Sequence, residues 1–208
     1  MRYFFSFRAW LLLSGLVLAS IVTGVAAEVA PMPASAQLCA SCHGQQGQGI
    51  DPVGPRLAGL SAKYIQQQIK FFQTGQRQNP IMGPMAMLVQ GEAIDQVSRY
   101  FSSQTVADVS IHLRGEKASY DDPIERLVYQ GDWTRIIPAC VTCHGPSGVG
   151  GGLFPRLAGQ QANYLKIQLL AWQTGSRKGD VDGVMGSIAA KLTVSEIDAL
   201  SQYFATFK

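Results

Sequence analysis

Apolar residues fall on helical spacing at four places along the chain, and the four form two matching pairs. Ile65, Ile69 and Phe72 stand at i, i+4 and i+7, the spacing that lines one helix face, and Leu165, Leu169 and Trp172 repeat it. Ile94, Val97 and Phe101 find the same echo in Ile197, Leu200 and Phe204. Ser61 is placed to N-cap the first of these helices, Gly75 and Gly175 to stop one helix in each pair, and Thr193 with Glu196 spells a capping box. Between them lie stretches rich in Gly and Pro, such as 44–54 and 145–152. No run alternates as a strand would, so the pattern predicts an all-α fold.

The pairing of helices is part of a longer internal repeat. Cys39-Ala40-Ser41-Cys42-His43-Gly44 returns as Cys140-Val141-Thr142-Cys143-His144-Gly145, and Pro55-Arg56-Leu57-Ala58-Gly59 returns as Pro155-Arg156-Leu157-Ala158-Gly159. Tyr64, Gln68 and Gln73-Thr74-Gly75 come back as Tyr164, Gln168 and Gln173-Thr174-Gly175. Met82 then matches Met185, and Tyr100-Phe101 matches Tyr203-Phe204. Blocks in one fixed order predict two copies of one domain, residues 28–105 and 126–208, joined by an unmatched acidic linker, 106–125. The linker should run into a helix near Ile124 to Gln130.

Composition narrows the class. The chain has 208 residues, 47% hydrophobic and 15% charged, with a net charge of +3, which excludes a disordered protein. Residues 1–27 read as an export signal: Arg2 and Arg8 head an uncharged Leu-rich run that ends in Val25-Ala26-Ala27. Cleavage after Ala27 is one outcome. The other is a retained anchor, since 9–27 is an uncharged stretch long enough to span a bilayer and associate the protein with a membrane. Without Arg2 and Arg8 the chain keeps 15 basic and 14 acidic residues, too even a balance for nucleic-acid binding.

Four cysteines are too sparse for a disulfide scaffold, and their spacing points elsewhere. Cys-x-x-Cys-His is the attachment signature of c-type haem: two thiols on one helical turn add to the two vinyl groups, and the next residue is aimed at the iron. A redox dithiol needs no following His. A zinc site needs four ligands in one shell. The expected cofactors are therefore two covalently attached haem c groups, on Cys39 and Cys42 and on Cys140 and Cys143, with His43 and His144 as axial ligands. Of three histidines only His112 is left, so paired His ligation at both irons is excluded, and methionine is the alternative. Met185 is the sole candidate after residue 126. The repeat selects Met82 over Met85 and Met87, which align with Ile188 and Ala190. The carbonyls of Pro55 and Pro155 are placed to accept from the axial histidines. Arg56 and Arg156 are candidate propionate partners, and Trp133 and Trp172 are read as core or haem-edge residues.

The tandem haem motifs, each followed by Pro-Arg-Leu-Ala-Gly and a Tyr-Phe near the domain end, together with Val128-Tyr129-Gln130-Gly131-Asp132, resemble the dihaem cytochrome c4 family. The resemblance spans residues 37–207. It implies two cytochrome c-like domains related by a pseudo-twofold axis with propionate edges facing each other. It further implies His/Met ligation at both irons and a periplasmic carrier delivering electrons towards terminal oxidases. The module is also similar to the cytochrome subunit of flavocytochrome sulfide dehydrogenases.

Six-coordinate irons leave no open position for a substrate, so the expected activity is one-electron transfer rather than catalysis. The readings are a shuttle between redox proteins (a quinol-oxidising complex or dehydrogenase and a terminal oxidase), an electron-accepting subunit of a dehydrogenase complex, and a dihaem peroxidase in which one iron lacks its methionine.

Overall fold

The computed structural model describes Met1 and residues 31–207. Apart from Met1, the segment read as an export signal, with the choice between cleavage and anchoring at Ala27, lies outside the described residues. Among those described, no helix is long and apolar enough to cross a membrane.

The described chain forms nine α-helices and no strand, only isolated bridges. The first half contributes α1 (Ala34–His43), α2 (Ala62–Gln73), α3 (Met82–Met87) and α4 (Glu92–Ser102). The second contributes α5 (Pro123–Tyr129), α6 (Val141–His144), α7 (Ala162–Gln173), α8 (Val184–Ala189) and α9 (Val194–Ala205). The helices expected from the apolar spacing are α2, α4, α7 and α9. Ile65, Ile69, Ile94, Val97 and Phe101 share one buried cluster, and Leu165, Ile197, Leu200 and Phe204 another. Trp172 is also buried, while Phe72 and Leu169 pack at the cluster edges.

The helix ends follow the predicted chemistry. Ser61 Oγ accepts from Tyr64 N at 3.1 Å. Thr193 and Glu196 close the capping box at the start of α9, satisfying backbone donors that would otherwise be orphaned. Thr193→Ala should lower the stability of the holoprotein by about 1 kcal/mol, read as a shift of the urea unfolding midpoint.

One asymmetry has a local cause. The first haem motif closes a ten-residue helix, whereas the second lies in the short α6, separated from α5. Pro138, just before Cys140, cannot donate to a helical ladder and pushes its predecessor out of the helical region. No proline interrupts residues 34–43; Pro33 stands at the N-cap of α1 instead.

Glycines then let each loop after the motif close onto the last helix of its own half. Gly47 and Gly148 have φ of 66° and 75°, and a Cβ on either would come within 2.7 Å of the Phe101 or Phe204 ring. The residues after α4 are no slack tether. Ser147 Oγ donates to Ser110 O at 2.8 Å and accepts from His112 N at 2.7 Å, and Gln130 holds Ala118 O at 2.9 Å.

The halves meet across a pseudo-twofold axis. Arg77 pairs with its own repeat equivalent, Arg177, in an isolated antiparallel bridge, as only residues lying on such an axis can. Off the axis, the Gln160 side chain clasps both the N–H and the C=O of Arg56 at 2.9 Å. Ser61 donates to the carbonyl of Gly152.

Candidate functional site

Helix α1 carries Cys39, Cys42 and His43 through its last turns. In the second half Cys140 immediately precedes α6, which carries Cys143 and His144. No disulfide joins any of the four cysteines. Burial pushes the Cys39 thiol above the ordinary range and Cys140 up to about 12.

Both histidines are buried, His43 to 6% and His144 to 7% exposure. Their Nδ1 atoms lie 2.7 Å from Pro55 O and 2.9 Å from Pro155 O. A carbonyl only accepts, so Nδ1 carries the proton and Nε2 keeps a free lone pair, the tautomer a metal requires. Burial holds both imidazoles below the ordinary histidine pKa, and at His144 the Arg177 charge adds to this. Gly54 makes the close approach of the loop possible: a Cβ there would stand 2.5 Å from Cys42 O. The proline carbonyls are thus where the sequence placed them.

Met82 opens α3 and Met185 is the second residue of α8. The two helices present the same sequence of exposures, with Met82 and Met185 half-buried and Ala86 and Ala189 buried. Met85 occupies the position of Ile188, which packs against the second core, and Met87 is exposed like Ala190.

Around the axis the structure gathers a cluster the motif search passed over. Arg77 donates to Gln68 Oε1 at 2.9 Å, and across the interface to Tyr164 Oη and Gln168 Oε1 at 2.8 Å. Arg177 mirrors it, donating to Gln168 Oε1 at 2.8 Å, Tyr64 Oη at 3.1 Å and Gln68 Oε1 at 3.2 Å. The guanidiniums lie over Phe72 and Trp172, each 4.6 Å from the ring centroid. Neither is ion-paired with a carboxylate among the described residues, and the buried Nε of Arg177 has no hydrogen-bond partner. Two partly desolvated like charges with a spare donor call for anions. Haem carboxylates fit that need.

Arg56 and Arg156, the propionate candidates, are placed differently. Arg156 donates to Ala158 O at 3.0 Å and reaches Ala107 O at 3.4 Å, and burial followed by the nearby Arg56 charge lowers its pKa. Trp172 is buried as expected, but Trp133 is 62% exposed on a turn outside the core. Arg77 and Arg177 follow the repeated Gln-Thr-Gly blocks at the same spacing, so the repeat already marked them.

Comparison with known proteins agrees with this geometry. The family model for cytochrome c matches residues 34–115 and 134–208. The thiosulfate dehydrogenase electron acceptor of Stutzerimonas stutzeri A1501 is 43% identical over 173 residues, 82% of this chain and 79% of the relative. The structure of reduced recombinant cytochrome c4 from Pseudomonas stutzeri superposes with a TM-score of 0.71 at 31% identity, over 83% of this chain and 94% of that one. Thiosulfate dehydrogenase TsdBA from Marichromatium purpuratum also gives 0.71, at 42% identity over 81% of this chain. The match spans only 36% of that longer chain.

Proposed function

The chain belongs to the dihaem cytochrome c4 family of cytochrome c proteins, with two covalently bound haem c groups and a role in electron transfer, and on that premise we propose that it accepts single electrons from a thiosulfate dehydrogenase. The observation that carries this reading is that two electron acceptors of that enzyme align with most of the chain, and that a thiosulfate dehydrogenase chain itself contains a segment similar to it. The electrons pass on to a further redox protein, a terminal oxidase being the natural acceptor, and the setting is the periplasm, with the N-terminus either removed or serving as a tether.

Haem supplies a one-electron ferric–ferrous couple when bound. The protein's part is to hold and bias that couple. Cys39 and Cys42, and Cys140 and Cys143, form the thioether links. His43 and His144 present Nε2 to the iron, oriented by Pro55 and Pro155. Met82 and Met185 complete the ligand sets, a soft donor that favours the ferrous state. Arg77 and Arg177 compensate the haem carboxylates at the interface. With His43, Met82, His144 and Met185 holding the two irons, no position would remain for a substrate, and the protein would serve as a carrier.

Mixing the oxidised protein with thiosulfate and a thiosulfate dehydrogenase should reduce both haems in a reaction first-order in the enzyme. Reduction no faster than in enzyme-free controls overturns the proposed donor. For the ligands, Met185→Ala should open one iron, so that carbon monoxide binds the reduced variant rapidly at the second haem and the wild type at neither. An unchanged ferric spectrum in that variant removes Met185 from the assignment.

A further inference from the structure

The repeated Gln-Thr-Gly block takes no part in the chemistry above, yet its glutamine makes the same pair of contacts in both halves. Gln73, the last residue of α2, donates from Nε2 to Ala86 O at 2.9 Å and Val89 O at 2.7 Å. Gln173, the last residue of α7, donates to Ala189 O at 3.1 Å and Leu192 O at 2.8 Å. These carbonyls belong to the final turn of the methionine-bearing helix and to a residue two or three positions beyond its end.

We propose that Gln73 and Gln173 are positioning residues that hold the sulfur of Met82 and of Met185 at its working place by clamping the C-terminal end of α3 and of α8. The inference rests on the methionine ligation proposed above. A helix of six residues is too short to persist unaided, and its last four carbonyls have no partner within it. The Ala86 and Ala189 carbonyls also accept from Val89 N and Leu192 N at 3.1 Å, so the glutamine takes their second lone pair. With Ala86 and Ala189 at 2% and 0% exposure and Val89 and Leu192 at 6%, water is a poor substitute for it. One amide group offers two protons, and both are used. The N-terminal side is held by different residues in the two halves. Asn79 Oδ1 accepts from Met82 N at 2.8 Å, while Asp180 Oδ2 accepts from Gly186 N at 3.1 Å. The glutamine clamp is what the two halves have in common.

The test uses the full two-haem protein, each haem serving as reference for the other. Ferrous-state NMR gives one ring-current-shifted methionine methyl signal per ligated iron, and carbon monoxide association reports how readily the sulfur leaves. Gln73→Leu keeps side-chain bulk but removes both protons, and Gln73→Glu keeps length while a carboxylate donates nothing. Both variants should weaken or lose the Met82 methyl signal and speed carbon monoxide binding at the first haem by about tenfold or more, the scale of two lost hydrogen bonds. The second haem should be unchanged, and Gln173→Leu should show the reverse. Loss of unfolding stability with both methyl signals intact and carbon monoxide still excluded would reduce the glutamines to packing and overturn the proposal. Met82→Ala separates the two failures. If one methyl signal does not vanish there, the ligand reading is wrong; if it vanishes there but persists in both Gln73 variants, only the positioning role is wrong.

Discussion

A chain with Cys140 and Cys143 both replaced by serine should carry one haem where the wild type carries two. Intact mass would fall by one haem, and the haemochrome absorbance per protein would halve. The effect on folding should be as large. About 80 residues with long glycine loops bury a thin apolar core, to which an attached haem adds. Cys140 itself packs against the second core cluster, so the attachment point is continuous with that core. Limited proteolysis should therefore cut the second half of the variant while the segment from α1 to α4 resists. A variant that keeps two haems would move the attachment site elsewhere, and one that loses a haem but stays protease-resistant would show the core to be self-sufficient.

The second large effect is expected at the interface. Arg177→Gln should lower the midpoint potential of the haem it serves by roughly 40–90 mV, because a positive charge favours the less positive ferrous iron. Removing a unit charge from a partly desolvated site changes a neighbouring charge's energy by ~1–2 kcal/mol, and a tenfold change in a one-electron equilibrium is about 59 mV. Arg77→Gln should act in the same direction. The Arg177 variant also leaves Tyr64 and Gln68 without a cross-interface donor, so the halves should come apart at lower denaturant. Spectroelectrochemical titration reads the first effect. Potentials unchanged in both variants would mean that the arginines serve the interface alone.

Much of this was legible in the sequence because the relevant chemistry is local. The thiols and the histidine of each motif lie within five residues, and their spacing alone sets their relation on a helical turn. The proline carbonyls lie 12 and 11 residues beyond the histidines and were still identified, because a short loop returning to the motif has few places to go. Met82 was distinguishable from Met85 and Met87 only because the second half lacks sulfur at the latter positions.

The arginines were not legible in the same way. Arg56 and Arg156 stand in the most conspicuous repeated block, whereas Arg77 and Arg177 stand outside it and are singled out by their contacts across the interface. Trp133 reads from the sequence as a core or haem-edge residue, and the structure removes the core alternative. It lies on the turn bridged between Asp132 and Ile137, where Arg135 is held by Asp132 and Glu196, and it is largely exposed.

The sequence by itself determined α2, α4, α5, α7 and α9, the caps at Ser61 and Thr193, the twofold repeat and the two haem motifs, since each depends on residues within one or two turns or on simple recurrence. Only the tertiary structure decided which cations meet at the interface and what holds the methionine-bearing helices. Arg77 meets Tyr164 and Gln168 across 87 and 91 residues of chain, and Gln73 meets Ala86 and Val89 across 13 and 16. Such contacts arise where two halves close about an axis or one helix end lies against another. No local spacing encodes that closure, because its free energy is spread over the whole packed interface rather than written at any one position.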